Sequence, residues 1–151
     1  MIKITVPATT ANIGCGFDSL GMALSLYSTF TFDQNDKFVI TGCPEKYQNE
    51  DNLVITSYKK VFHKLNKEII PVKLHIESQI PVSRGLGSSA SCIVAGIWAA
   101  NCILNHPLTK EECLTIATEI EGHPDNVAPA IYGNLCASFM DDQVYCVQYH
   151  A

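Results

Sequence analysis

The stretch Pro81-Val82-Ser83-Arg84-Gly85-Leu86-Gly87-Ser88-Ser89-Ala90-Ser91 decides how the rest of the chain is read. Upstream of it, Val72, Leu74 and Ile76 alternate with Lys73, His75 and Glu77, the period of a half-buried strand. Downstream, Ala90, Ile93, Val94, Ile97, Ala100, Ile103 and Leu104 recur at helical spacing. A glycine-rich turn therefore joins a strand to the start of a long helix. The first helical turn carries unpaired N–H groups and the positive end of the helix dipole, and glycines let an anion approach that backbone closely. Ser83, Ser88, Ser89 and Ser91 add hydroxyls. The direct reading is a phosphate site; the plainer alternative is a tight turn with serine caps.

Commoner glycine loops fit less well. A Walker loop needs Gly-Lys-Ser/Thr, which the chain does not contain. Gly85-Leu86-Gly87-Ser88-Ser89-Ala90 formally satisfies the dinucleotide pattern, but the regular strand–helix alternation of a doubly wound sheet is missing. Protein kinases set their glycine loop between two strands, whereas a helix follows here.

Outward from the turn, Ile2, Ile4 and Val6 predict a first strand that stops at Pro7. The loop Pro7-Ala8-Thr9-Thr10-Ala11-Asn12-Ile13-Gly14-Cys15-Gly16-Phe17-Asp18 is dense in small and polar residues. Leu20 to Phe32 reads as one long strand or a bent pair, and Lys37 to Thr41 as its neighbour. Asp51 is the expected N-cap of a helix through Asn66, with Leu53, Val54, Ser57, Val61, Phe62 and Leu65 inward. Thr109-Lys110-Glu111-Glu112 matches a capping box, with Leu108 and Cys113 as its staple, and predicts a helix to about Glu121. Gly122-His123-Pro124-Asp125-Asn126 breaks that helix, a short one runs from Asn126 to Tyr132, and Leu135 to Met140 and Val144 to Tyr149 form two strands. Trp98, inside the helix after the turn, reads as core. The class is α+β, a mostly antiparallel sheet packed against helices.

The 151 residues, 47% apolar and 17% charged, suit one globular domain with a real core. A net charge of −5 argues against a nucleic-acid partner, although backbone amides and a metal ion can still meet a nucleotide's phosphates. Seven cysteines, at 15, 43, 92, 102, 113, 136 and 146, form no C-x-x-C pair. They read as buried free thiols in a reducing compartment, and with no signal peptide or membrane span the expected location is cytoplasmic. The chain stops directly after a strand, the pattern of a domain cut from a longer protein.

Pro81-x-x-x-Gly-Leu-Gly-Ser-Ser-Ala resembles the phosphate loop of the GHMP small-molecule kinases. Within that family, Pro7 to Asp18 with Leu20-Gly21, and Glu121-Gly122-His123-Pro124-Asp125-Asn126-Val127-Ala128-Pro129, resemble the homoserine kinases. The three motifs stand in order across nearly the whole chain. The resemblance implies a GHMP kinase N-terminal domain (ribosomal protein S5 domain 2-like) over residues 1–151, with the C-terminal domain absent. It implies ATP-dependent phosphorylation of the L-homoserine hydroxyl, a step toward threonine. The alternatives are a mevalonate kinase-like enzyme or a non-catalytic nucleotide-binding fragment.

The resemblance also implies site residues. The turn from Pro81 through Val82, Ser83, Arg84, Gly85, Leu86, Gly87, Ser88, Ser89 and Ala90 to Ser91 would cradle the triphosphate, and Asn52, equally good as a cap, would lie near adenine. Asn12, Asp18, His123 and Asn126 would hold the amino acid, with Asn12 and Asn126 at the reacting groups. Taken alone, Asn12 and Asp18 serve equally well to stabilise turns. Magnesium would sit on Ser89 and a glutamate, Glu119 in first place and Glu121 as its competitor. Some relatives place an aspartate base where Asn126 aligns here; a one-residue shift would bring Asp125 there instead. With Asn126, transfer rests on positioning and charge neutralisation. Arg84 is the one basic residue expected near the site, so the isolated chain should bind nucleotide weakly and turn over little. Apolar surface left uncovered predicts homodimers or other self-association.

Overall fold

The computed structural model describes residues 1–10, 19–80, 87–133, 135–140 and 144–149. Strands β1 (Ile2–Thr10), β2 (Ser19–Gln34), β3 (Val39–Thr41), β4 (Val72–Ser78), β5 (Leu135–Met140) and β6 (Val144–Tyr149) form one sheet. Among the described residues, four α-helices back it: α1 (Leu53–Lys64), α2 (Ser88–Ile103), α3 (Lys110–Glu121) and α4 (Val127–Tyr132). The order is β3-β4-β2-β5-β6, with β1 on β2; β3 and β4 are parallel and every other pair antiparallel. The α+β class and the mostly antiparallel sheet are as expected.

The alternation in β4 is realised: Val72, Leu74 and Ile76 face inward while Lys73, His75 and Glu77 face solvent. With Ile4, Val6, Phe30 and Phe32 they make the apolar face against which the helices pack. Helix α2 is apolar on nearly all sides because it is central, touching α1, α3, α4 and β1. Trp98 packs half-buried against this core. In α1 the inward stripe is wider than the spacing predicts and includes Ile55 and Tyr58. The Tyr58 hydroxyl donates to the Ile70 carbonyl at 2.6 Å, which satisfies the one polar atom of a ring packed between Phe32 and Phe62.

Several boundaries differ from expectation. Strand β1 does not end at Pro7 but runs to Thr10. Among the described residues β1 pairs only with β2, and an edge strand tolerates the missing N–H of proline. Its register shifts between Pro7 and Thr9: Pro7 pairs with Tyr27 and Thr9 with Ala23, so Leu24–Leu26 stand opposite Ala8. Ala8 and Thr9 are both fully buried, which strict alternation does not allow, and the shift explains it. Helix α1 is capped by Asn52, not Asp51: the Asn52 side chain accepts from the Val54 N–H at 2.9 Å. Strand β3 is three residues long, shorter than Lys37–Thr41.

The capping box of α3 is present in both directions, Thr109 accepting from the Glu112 N–H and Glu112 from the Thr109 N–H. Cys43, Cys92, Cys102 and Cys113 are free thiols, Cys113 buried and the others half-buried. Met22, Leu26 and Tyr27 of β2 are exposed. No helix among the described residues is long and apolar enough to cross a membrane.

Candidate functional site

Three segments distant in sequence meet at the N-terminus of α2. Gly87 is its N-cap, in the left-handed region at φ 72°, a conformation that favours glycine. A Cβ on Gly87 would also lie 2.1 Å from the Thr9 hydroxyl, so the end of β1 packs directly beneath the helix start. Ser91 steadies the first turn, its hydroxyl donating to the Ser88 carbonyl at 2.7 Å. Thr9, fully buried, donates to Asn126 Oδ1 at 2.8 Å and so ties the segment before α4 to the same point.

A second close approach holds that segment from the other side. A Cβ on Gly21 of β2 would stand 1.9 Å from the Asp125 carbonyl oxygen and 2.8 Å from Pro129 Cγ. Only a residue without a side chain lets the His123–Asn126 bend lie against the sheet. Within the bend, Asp125 Oδ1 accepts from the Asn126 N–H at 3.1 Å and contacts His123 Nδ1. A carboxylate only accepts, so Nδ1 is the donor; the ring is exposed and does not line the cavity described below.

A cavity of about 480 Å3 opens at this junction, a size that suits a small-molecule ligand. Gly87, Ser88, Ser89, Ser91 and Asn126 line its polar part. Phe30, Pro44, Tyr47, Leu53, Ile76 and Ile80 supply apolar wall for a planar group. Cys43 and Cys92 also line it; burial pushes both thiols up, Cys92 to about 11, so they present neutral sulfur. No lysine or arginine is among the described lining residues, which leaves the α2 amides and dipole as the anion-attracting element.

The Ser89 hydroxyl donates to the Glu121 carboxylate, 3.2 Å from Oε1 and 3.3 Å from Oε2. Glu119 lies elsewhere, paired with Lys64 at 2.6 Å and Lys60 at 3.7 Å. Two hard oxygens thus converge at the α2 N-terminus, a donor set that fits magnesium shared with substrate phosphates.

Residues 52–134, more than half of the chain, match the family model described as the GHMP kinases N terminal domain. The chain belongs to the GHMP kinases. A homoserine kinase of Clostridium botulinum is 47% identical over 95% of the chain and 48% of its own length. A Listeria monocytogenes structure ascribed to homoserine kinase superposes at TM-score 0.88 with 41% identity, over 97% of this chain and 53% of that one. The homoserine kinase of Cytophaga hutchinsonii superposes at 0.81 with 32% identity, over 97% and 51%. This GHMP kinase chain therefore spans about half the length of the relatives it matches.

Of the expected site residues, Gly87, Ser88, Ser89, Ser91, Asn52 and Asn126 share the cavity, while Ala90 is buried behind it. Asn12, Asp18 and Pro81 to Leu86, Arg84 included, lie outside the described residues. Asn52 lines the cavity with its amide already engaged, Nδ2 donating to the Tyr47 carbonyl at 2.9 Å. Asn126, not Asp125, lines the cavity. The preference for Glu119 over Glu121 does not match the geometry: Glu121 meets Ser89 and Glu119 meets lysines. Neither Thr9 nor the apolar wall around Pro44 and Tyr47 is among the expected site residues. Thr9 gives no sequence signal, since its partner is 117 residues away.

Proposed function

We propose that this GHMP kinase chain is the nucleotide-binding half of a homoserine kinase, which transfers the terminal phosphoryl group of ATP to the side-chain hydroxyl of L-homoserine. The supporting observation is that the α2 N-terminus and Asn126 line one cavity, with Glu121 hydrogen-bonded to the lining Ser89, in a chain 47% identical to a homoserine kinase. The α2 amides and serines hold the triphosphate, and the apolar wall takes the base. Ser89 and Glu121 are the residues that would hold Mg2+, which when bound neutralises charge on the phosphates. In this reading Asn126 and Asn12 act on the reacting groups, and His123 and Asp18 orient the amino acid. No described lining residue is a carboxylate base, so the reaction is carried by orientation and by charge neutralisation, as a loose phosphoryl transition state allows.

The cations that meet the homoserine carboxylate are supplied by the part of the relatives' length outside this chain, where the second domain of the family stands. By itself the chain binds MgATP weakly and turns over little, and exposed Met22, Leu26 and Tyr27 favour self-association, readable by light scattering. Free thiols suit a cytoplasmic enzyme. The test is a coupled ADP-release assay on the full-length polypeptide carrying this sequence, with homoserine, mevalonate and galactose. Homoserine turnover is expected; turnover of mevalonate alone would overturn the assignment and leave the family intact.

A further inference from the structure

We propose that Thr9 is a positioning residue of this site: its hydroxyl fixes the Asn126 amide so that Nδ2, the donor end, faces the cavity. The proposal rests on reading the cavity as the phosphoryl-transfer site. Thr9 is fully buried, and burial strongly favours placing a hydroxyl hydrogen on an acceptor. It places it on Asn126 Oδ1 at 2.8 Å. With Oδ1 engaged, the remaining polar group of Asn126 is the NH2, which has no partner among the described residues, and Asn126 lines the cavity. An NH2 group meets acceptor oxygens, either those of a transferring phosphoryl group or the lone pairs of the acceptor hydroxyl. Turned over, the amide would present Oδ1 to the same oxygens and repel them.

The backbone makes Thr9 fit for this. The register shift between Pro7 and Thr9 places Thr9 fully inside, and a β-branched residue on a strand holds its χ1 stiffly. The same side chain supports Gly87, whose added Cβ would fall 2.1 Å from Thr9 Oγ1 and 3.3 Å from its Cβ. One threonine therefore sets the spacing between the phosphate-binding helix start and the amide that faces the transferred group.

The test compares Thr9→Val, Thr9→Ser, Asn126→Ala and the Thr9→Val/Asn126→Ala double variant in the full-length polypeptide. Thr9→Val keeps the volume and removes the donor; kcat should fall about 10–100-fold, the range for residues that orient a functional group, with KM for MgATP within about threefold. Thr9→Ser should restore most of kcat. In the Asn126→Ala background, Thr9→Val should cost nothing more, because its route to the site is already gone. An additive loss in the double variant, or a change confined to KM, would overturn the proposal. If Thr9→Val does not fold, Thr9→Ala decides: it too removes the donor, so kcat must fall well below that of Thr9→Ser, and activity equal to the wild type refutes the idea. The Asn126 side-chain NH2 resonances give a readout that needs no homoserine turnover. They should shift with MgATP in the wild type and not in Thr9→Val; that result keeps the proposal even if homoserine is not the substrate, and equal shifts in both end it.

Discussion

The Ser89 hydroxyl and the Glu121 carboxylate are hydrogen-bonded at 3.2 Å across 32 positions of sequence. Ser89 belongs to the first turn of α2 and Glu121 is the last residue of α3. A carboxylate is disfavoured at the C-terminal end of its own helix dipole, and here the N-terminal end of α2 compensates it. Glu119 precedes Glu121 by two residues, about 200° around the helix, so the two carboxylates face nearly opposite ways. That is why one meets Ser89 and the other the α1 lysines.

Glu121→Gln should therefore lower kcat by at least about 10–100-fold and raise the magnesium concentration needed for half-maximal rate. Glu119→Gln, which loses only exposed ion pairs to Lys60 and Lys64, should change stability by about 0–1 kcal/mol and activity little. Magnesium titrations of initial rate on both variants check this, and equal losses would return Glu119 to the site.

Gly87→Ala forces a left-handed residue to carry a Cβ, at about 1–2 kcal/mol, and drives that Cβ into Thr9. The expected outcome is a lower melting temperature and weaker MgATP binding together, measured by thermal denaturation and calorimetry. Unchanged affinity would mean the turn does not face the nucleotide.

Gly21→Ala acts on the other side of the site. Its Cβ would overlap the Asp125 carbonyl, so the His123–Asn126 bend must shift, with a stability loss of about 1–3 kcal/mol. Because the bend carries Asn126, kcat should drop even where the variant remains folded. Steady-state kinetics well below the melting temperature separates the two effects.

Burial pushes the Cys92 and Cys113 thiols from 9.0 to about 11, helped at Cys113 by the nearby Glu112 and Glu111. The fold favours the neutral thiol, so the stability this represents is complete below about pH 9 and lost as pH rises through about 11. Melting temperature should fall more steeply over that interval in the wild type than in a Cys92→Ala/Cys113→Ala variant. Parallel curves would show that the thiols do not titrate with unfolding.

Local pattern was enough where local physics decides. The alternation of Val72, Leu74 and Ile76, the helical spacing after Ala90 and the reciprocal cap at Thr109 and Glu112 each lie within a few residues, and the structure repeats them. The length of β1 was not legible: Pro7 is a stop signal by itself and is tolerated only because β1 is an edge strand. Tyr58 and Ile55 fall outside the expected stripe because α1 packs along α2 and also lays Tyr58 on Phe32 of the sheet, which widens its buried face.

The sequence by itself determined the elements, the glycine turn at a helix start and the three motifs that mark a GHMP kinase, because capping, periodicity and motif chemistry act over short separations. Tertiary structure alone decided which partners those motifs find. Ser89 takes Glu121 over Glu119 because the twist of α3 turns one carboxylate toward α2, and Thr9 reaches Asn126 because a register shift turns it inward. Such contacts depend on the relative placement of whole elements, which no local spacing encodes.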